Sequence, residues 1–184
     1  GFGVRGVRLY TDGIPASMPD GQGQVSHFDL AGAQRVEVLR GPFSVLYGNS
    51  SGGVIAAVSA PVKEGRFETG LDFGSSGLRQ WRVSAAAPLS GGFEARVGAS
   101  GLEWDGFRPQ SSASKTSANA RLAWQGERDR VIVLASVLDQ PADDPLGLTR
   151  LQFDADPYQT TSQATQFDTR KTLSQQQAGA RWTH

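Results

Sequence analysis

Few residues in this chain are of types that do chemistry, and their spacing separates the possible reactions. Gly48-Asn49-Ser50-Ser51-Gly52 fits G-x-S-x-G, the turn that presents a nucleophilic serine in many hydrolases. That chemistry needs a strand before the serine, a helix after it and a histidine to take the serine proton. Here Gly52-Gly53 and a β-rich run follow, and the 2 histidines are His27 and His184. The segment also lacks the Gly-Lys-Ser/Thr ending of a phosphate loop, so it reads as a polar glycine turn. Asp139, Asp143, Asp144, Asp154 and Asp156 form an acidic group without EF-hand spacing, which reads as a solvated loop. His27 is a lone histidine and makes no metal site by itself. With 0 cysteines there is no disulfide framework, redox pair or cysteine-rich zinc site, and a formal net charge of +0 leaves no broad footprint for nucleic acid. An enzyme and a resident metal are therefore not expected.

The elements around the serine turn are more informative. Arg35 to Arg40 alternates with period two, which puts Val36, Val38 and Arg40 on one face. Gly41-Pro42 ends that strand, and Pro42 suits the start of one helical turn through Phe43, Val45 and Leu46. Gly48 to Gly53 turns the chain, and Val54 to Ala60 is extended again. Arg40 shares a face with two valines, and a buried cation needs a carboxylate partner. No short-range rule supplies one.

These residues resemble the plug domain of TonB-dependent outer-membrane receptors. The plug signature is matched by Val36-Glu37-Val38-Leu39-Arg40-Gly41-Pro42, Ser44, Leu46-Tyr47-Gly48 and Gly52-Gly53-Val54-Ile55. It departs in a slightly short spacing, Asn49-Ser50-Ser51, and in a closing strand, Ala56 to Ser59, without the common Asn and Thr. Upstream, Val7 to Thr11 with Asp12-Gly13-Ile14-Pro15 is similar to the strand and turn of the same plug. Both ends of the sequence fall inside such patterns, so a stretch of a longer protein is expected.

From Arg66 onward alternation continues almost without break. Phe67, Thr69, Leu71 and Phe73 oppose Arg66, Glu68, Gly70 and Asp72; Trp81, Val83, Ala85, Ala87 and Leu89 oppose Gln80, Arg82, Ser84 and Ala86. Phe93 to Ala99, Ala118 to Trp124, Val131 to Leu138 and Gln176 to Trp182 continue the pattern, which makes about six strands. One set of positions is apolar and the other carries charges and glycines, as a polar lumen requires. Turns at Ser90–Gly92 and Glu127–Asp129 are short, whereas Gly106–Lys115 and Asp139–Lys171 are long. Short turns on one side and long loops on the other are the pattern of outer-membrane barrels, although the Gly74–Gly77 turn is short on the long-loop side. Trp81, Trp104, Trp124 and Trp182 near strand ends suit interfacial girdles.

The expected fold is thus mostly β. The resemblance implies that residues 1–61 form the C-terminal part of an α+β plug, and that residues 62–184 form the first six or so antiparallel strands of a transmembrane barrel, nominally of about 22 strands. The resemblance implies active transport across the bacterial outer membrane, powered by the inner-membrane TonB complex, with outer-membrane lipid around the wall. The implied cargo is a ferric siderophore or other ferric chelate, bound as a transported ligand and not as a covalent cofactor. Haem and cobalamin are the alternatives within the family, and a plug-less porin or adhesin barrel is the alternative outside it. The loop after the turn supplies the substrate-contact candidates Met18, Asp20, Gln22, Gln24 and His27. Arg35, Glu37 and Arg40 are the candidates to latch the plug to the wall, and Gly41, Pro42, Gly48, Gly52 and Gly53 shape the plug turn.

Overall fold

The structure is a computed structural model, described for residues 4–18, 21, 28, 30, 32–41, 44–48 and 50–184. Strands β1 (Val7–Thr11), β2 (Ile14–Pro15), β3 (Ala33–Arg40) and β4 (Gly53–Ser59) form a four-stranded sheet in the order β2-β1-β4-β3. β1 runs parallel to β4, and β3 runs antiparallel to it from Ala33↔Ser59 to Arg40↔Gly53. Leu9 and Val54 are the best-buried large side chains of this sheet, each 1% exposed.

The β1–β2 connection is two residues, Asp12 and Gly13, with φ of 51° and 79°. A tight hairpin of this kind needs positive φ at both central positions, and Asp-Gly is among the pairs that adopt it most readily. Between β3 and β4 lies α1 (Ser44–Tyr47), one turn held to β1 by Tyr10. The Tyr10 hydroxyl donates to the Tyr47 carbonyl at 3.4 Å, and the two rings meet edge-on at 5.2 Å.

The second sheet is a continuous antiparallel meander in chain order: β5 (Arg66–Phe73), β6 (Arg79–Pro88), β7 (Phe93–Trp104), β8 (Ala113–Gln125), β9 (Arg130–Asp143) and β10 (Arg170–Thr183). Six antiparallel strands are what the alternation predicts. The last two run further than expected, because the β9–β10 ladder continues to Arg170↔Asp143 beyond the apolar rows. Backbone hydrogen bonds need no apolar side chains, so the hairpin keeps its pairing in polar sequence. The loop 144–169 then carries α2 (Arg150–Ala155) and α3 (Ser162–Gln166). α2 opens with a capping box in which Thr149 and Gln152 satisfy each other's backbone N–H groups.

The two faces of this sheet differ in kind. Phe67, Leu71, Phe73, Trp81, Phe93, Val97, Leu122, Val133, Val137 and Trp182 share one face and are all among the exposed large apolar side chains. Phe93, Trp124, Val131 and Trp182 stand in one row at the short-turn end. In that row the Trp124 Nε1–H donates to the Gly91 carbonyl at 3.0 Å, and the Trp182 Nε1–H donates to Asp129 Oδ1 at 2.8 Å. Along β7, Trp81's partner Gly101 lies eight residues from Phe93, about 27 Å along the strand at about 3.4 Å per residue. Tilted as barrel strands are, that is about 20 Å of height, close to the apolar band of an outer-membrane wall. Trp104 falls on the opposite parity and does not join this face; it meets Phe107 at 6.0 Å beside the long loops.

Candidate functional site

The first sheet packs on the polar face of the second, and the contact centres on Arg121 of β8. A guanidinium there is tolerable only if its charge and its N–H groups are matched. Its Nε donates to Asp12 Oδ2 at 3.0 Å and its Nη1 to Glu94 Oε1 at 2.7 Å. The Arg121 and Asp12 side chains are 5% and 4% exposed, so this is a buried ion pair joining the sheets across 109 residues of sequence.

The hairpin turn aims Asp12 at the wall and β4 completes its coordination. Ser59 N–H donates to Asp12 Oδ1 and Ser59 Oγ–H to Oδ2, both at 2.8 Å. Asp12 N–H donates to the Ala57 carbonyl at 2.9 Å, and Arg181 of β10 donates from Nη1 to the Asp12 carbonyl at 3.1 Å. Glu94 completes the cluster from β7: its Oε2 accepts from Val62 N–H at 2.8 Å. Each carboxylate therefore holds Arg121 and one backbone N–H, the arrangement that makes buried charges affordable.

Apolar contacts seat the same hairpin beside the ion pairs. Ile14 is buried against Ala123, Ile132 and Leu134 on the polar face of the second sheet. A Cβ on Gly179 would stand 2.6 Å from Ile14 Cγ2, so the glycine opens the place that Ile14 fills. Gly13 has the same relation to the Arg181 side chain, at 2.3 Å, and its φ of +79° also favours glycine. The Gln177 side-chain amide donates to the Pro15 carbonyl. Further along the same face, a space of about 730 Å³ lies between Phe28, Leu30 and wall residues that include Glu68, Arg82 and Lys115.

The latch residues expected from sequence lie elsewhere. Arg35 Nε donates to Glu37 Oε1 at 2.6 Å, so these two pair with each other on an exposed strand. Arg40 is exposed, and so are Val36 and Val38 at 46% and 59%. The face read as burying a cation is therefore open in this structure, because the first sheet turns its Asp12 corner to the wall and not β3. Among the substrate-contact candidates, Met18 is half-buried next to β2, while Asp20, Gln22, Gln24 and His27 lie outside the described residues. Of the turn residues, Gly41, Gly48 and Gly53 have φ of 121°, 71° and 137°, and a Cβ on Gly53 would meet the Leu39 carbonyl oxygen at 2.3 Å. Gly52 N–H donates to the Gly6 carbonyl at 2.8 Å, and Pro42 lies outside the described residues.

Ser50, the residue of the hydrolase-like motif, is 0% exposed and its hydroxyl donates to the Gly48 carbonyl at 3.2 Å. It fastens the turn. Four of the five acidic residues are likewise engaged by side-chain or backbone partners. Asp143 accepts from Ser112, Asp144 from Leu146 N–H, Asp154 pairs with Arg150, and Asp156 accepts from Tyr158 N–H.

Sequence reasoning missed Asp12, Glu94 and Arg121. The Asp12-Gly13 turn was readable, and it would have marked Asp12 as a carboxylate at a fixed corner. For Arg121 the signal was weaker: an arginine in the polar row beside the short-turn end.

Comparison with known proteins places this geometry. Residues 1–54 match the family described as the TonB-dependent Receptor Plug Domain. Among solved structures, the unliganded ferric citrate transporter FecA superposes with a TM-score of 0.68 at 24% identity, over 86% of this chain and 27% of that one. The pyoverdine outer-membrane receptor FpvA from Pseudomonas aeruginosa gives 0.61 at 22% identity, over 73% and 21%. The copper transporter OprC gives 0.59 at 21% identity, over 77% and 24%. These likenesses are of fold, and the chain spans 21–27% of the length of these structures. Residues 1–54 thus match the plug domain of TonB-dependent receptors, and the strand wall that they pack against has the fold of these solved structures.

Proposed function

We propose that the protein containing this chain carries out TonB-dependent active transport across the bacterial outer membrane, with a ferric siderophore or another ferric chelate as cargo. Residues 1–61 act as plug and residues 62–184 as wall. The observation that carries this reading is the buried Asp12–Arg121–Glu94 cluster, which fastens one sheet to the charged face of another whose opposite face is apolar and exposed. A wall that is greasy outside and charged inside suits a lipid bilayer and a wet lumen. A sheet tied into that lumen by ion pairs closes it, yet is held by few enough groups to be moved.

In this reading the inner-membrane TonB complex supplies the force and outer-membrane lipid meets the Phe67-to-Trp182 face. The residues proposed to meet cargo are Met18, Asp20, Gln22, Gln24 and His27, which follow the plug hairpin in sequence. The space bordered by Glu68, Arg82 and Lys115 suits a hydrated, polar cargo. Arg35, Glu37 and Arg40 then face strands of the complete wall other than the six described.

Deletion of the full-length gene tests the proposal. Uptake of radiolabelled iron from a panel of ferric citrate and ferric siderophores is expected to fall for at least one chelate, and to depend on TonB. Unchanged uptake across the panel, with loss of haem, cobalamin or copper uptake instead, overturns the ferric-chelate assignment. Loss that is independent of TonB overturns the transport mechanism.

A further inference from the structure

Arg96 is the unexplained charge of the plug–wall contact. It stands on β7 directly opposite Arg121 of β8 in the register, on the same polar face, at a Cα separation of about 5 Å. Like charges placed directly across a strand pair repel. Both carboxylates of the cluster nevertheless go to Arg121. Arg96 Nε is buried and has no hydrogen-bond partner among the described residues. A cavity of about 60 Å³ lies beside it, bordered by Thr11, Ser59, Arg96 and Arg121. That is room for a few waters, and Thr11 and Ser59 are the chain neighbour and the hydrogen-bond donor of Asp12.

We infer that Arg96 is a second seat for the Asp12 carboxylate, taken up when the plug shifts along the wall. The inference rests on the reading of residues 1–61 as a plug. A carboxylate leaving Arg121 would face the full desolvation cost of an unpaired buried charge. With Arg96 one strand away and space between, it exchanges one guanidinium for the other. Arg96 is thus a positioning residue for plug movement, idle while the clasp on Arg121 is closed. Its buried, unbonded Nε is what that idle state leaves behind.

A double-mutant cycle in the full-length receptor, produced in cells lacking TonB, tests this. Entry of vancomycin reads closure, hydrogen exchange of residues 7–15 reads plug docking, and heat-modifiable migration confirms assembly. Arg96→Gln is expected to behave like the parent. Arg121→Gln is expected to stay within about threefold of it, and the double variant to exceed the product of the two single effects by about tenfold. A double variant no more open than Arg121→Gln overturns the inference, as does Arg96→Gln that leaks by itself. If the double variant fails to assemble, Arg121→Gln decides alone. Exchange at residues 7–15 close to the parent supports the second seat, and exchange as fast as in Asp12→Asn overturns it. Asp12→Asn reports separately on the underlying reading: a variant as closed and as protected as the parent means that the cluster holds no plug.

Discussion

Val62 donates its backbone N–H to Glu94 Oε2 at 2.8 Å, and the other oxygen of that glutamate accepts from Arg121 at 2.7 Å. The segment joining the two sheets is therefore fixed by the same residue that braces the ion pair. Glu94→Ala removes both bonds while leaving Asp12 on Arg121. Hydrogen bonds to charged groups contribute about 1.5–3 kcal/mol, so amide exchange at Val62 is expected to quicken by about tenfold or more. Exchange unchanged from the parent would show that the segment is held by its own packing.

On the apolar face, Val97 is 53% exposed and stands midway along β7 between Phe93 and Gly101. If lipid covers it, Val97→Arg in the full receptor should cost about 2–4 kcal/mol of folding stability in a bilayer. Urea titration of the receptor in phospholipid vesicles measures this. A cost below about 0.5 kcal/mol, the scale of an ordinary surface change, would mean that the face meets water or protein.

Ser50 is fully buried in its turn and hydrogen-bonded to Gly48. Ser50→Ala is expected to lose about 1 kcal/mol of stability and no chemistry. Covalent labelling of the parent by a fluorophosphonate at Ser50 would overturn that assignment.

Arg108 ties the loop between β7 and β8 to the longer one between β9 and β10. It donates to the carbonyls of Gln159 at 2.8 Å, Leu146 at 3.1 Å and Pro145 at 3.3 Å. Arg108→Ala leaves three carbonyls without that donor, and limited proteolysis on intact cells is expected to cut within 144–169 several-fold faster. Lysine at this position should rescue little, since an ammonium lacks the planar fork that reaches separate carbonyls. Full rescue by lysine would show that only charge matters there.

The local elements were legible because each rests on neighbouring residues. Alternation from Phe67 to Trp182 gave the six strands and their apolar face, and Asp12-Gly13 and Gly41 gave turns that only certain backbones can make. The capping box at Thr149 is just as local, but it opens the six-residue α2 inside a polar stretch, where strand periodicity gives no sign of it. The ion-pair partners were not legible for a different reason. Asp12 and Arg121 are 109 residues apart, and nothing in strand periodicity says which arginine of a polar row a given corner will reach. Arg40 stands out in the sequence because it shares a face with two valines. Yet β3 turns that side away from the six described wall strands, and the quieter arginine on β8 is the one that is clasped.

The parallel pairing of β1 with β4 gives the clasp a mechanical meaning. Asp12 is anchored just past the C-terminal end of β1, and the five residue pairs from Val7↔Gly53 to Thr11↔Ala57 lie alongside. Tension drawn from the chain before Val7 runs lengthwise down β1 toward the anchored corner. The ladder is then loaded in shear, with its rungs sharing the pull together instead of parting one by one. A strand gripped this way resists peeling, so the sheet stays whole and moves as one body only once the anchor at its far end gives.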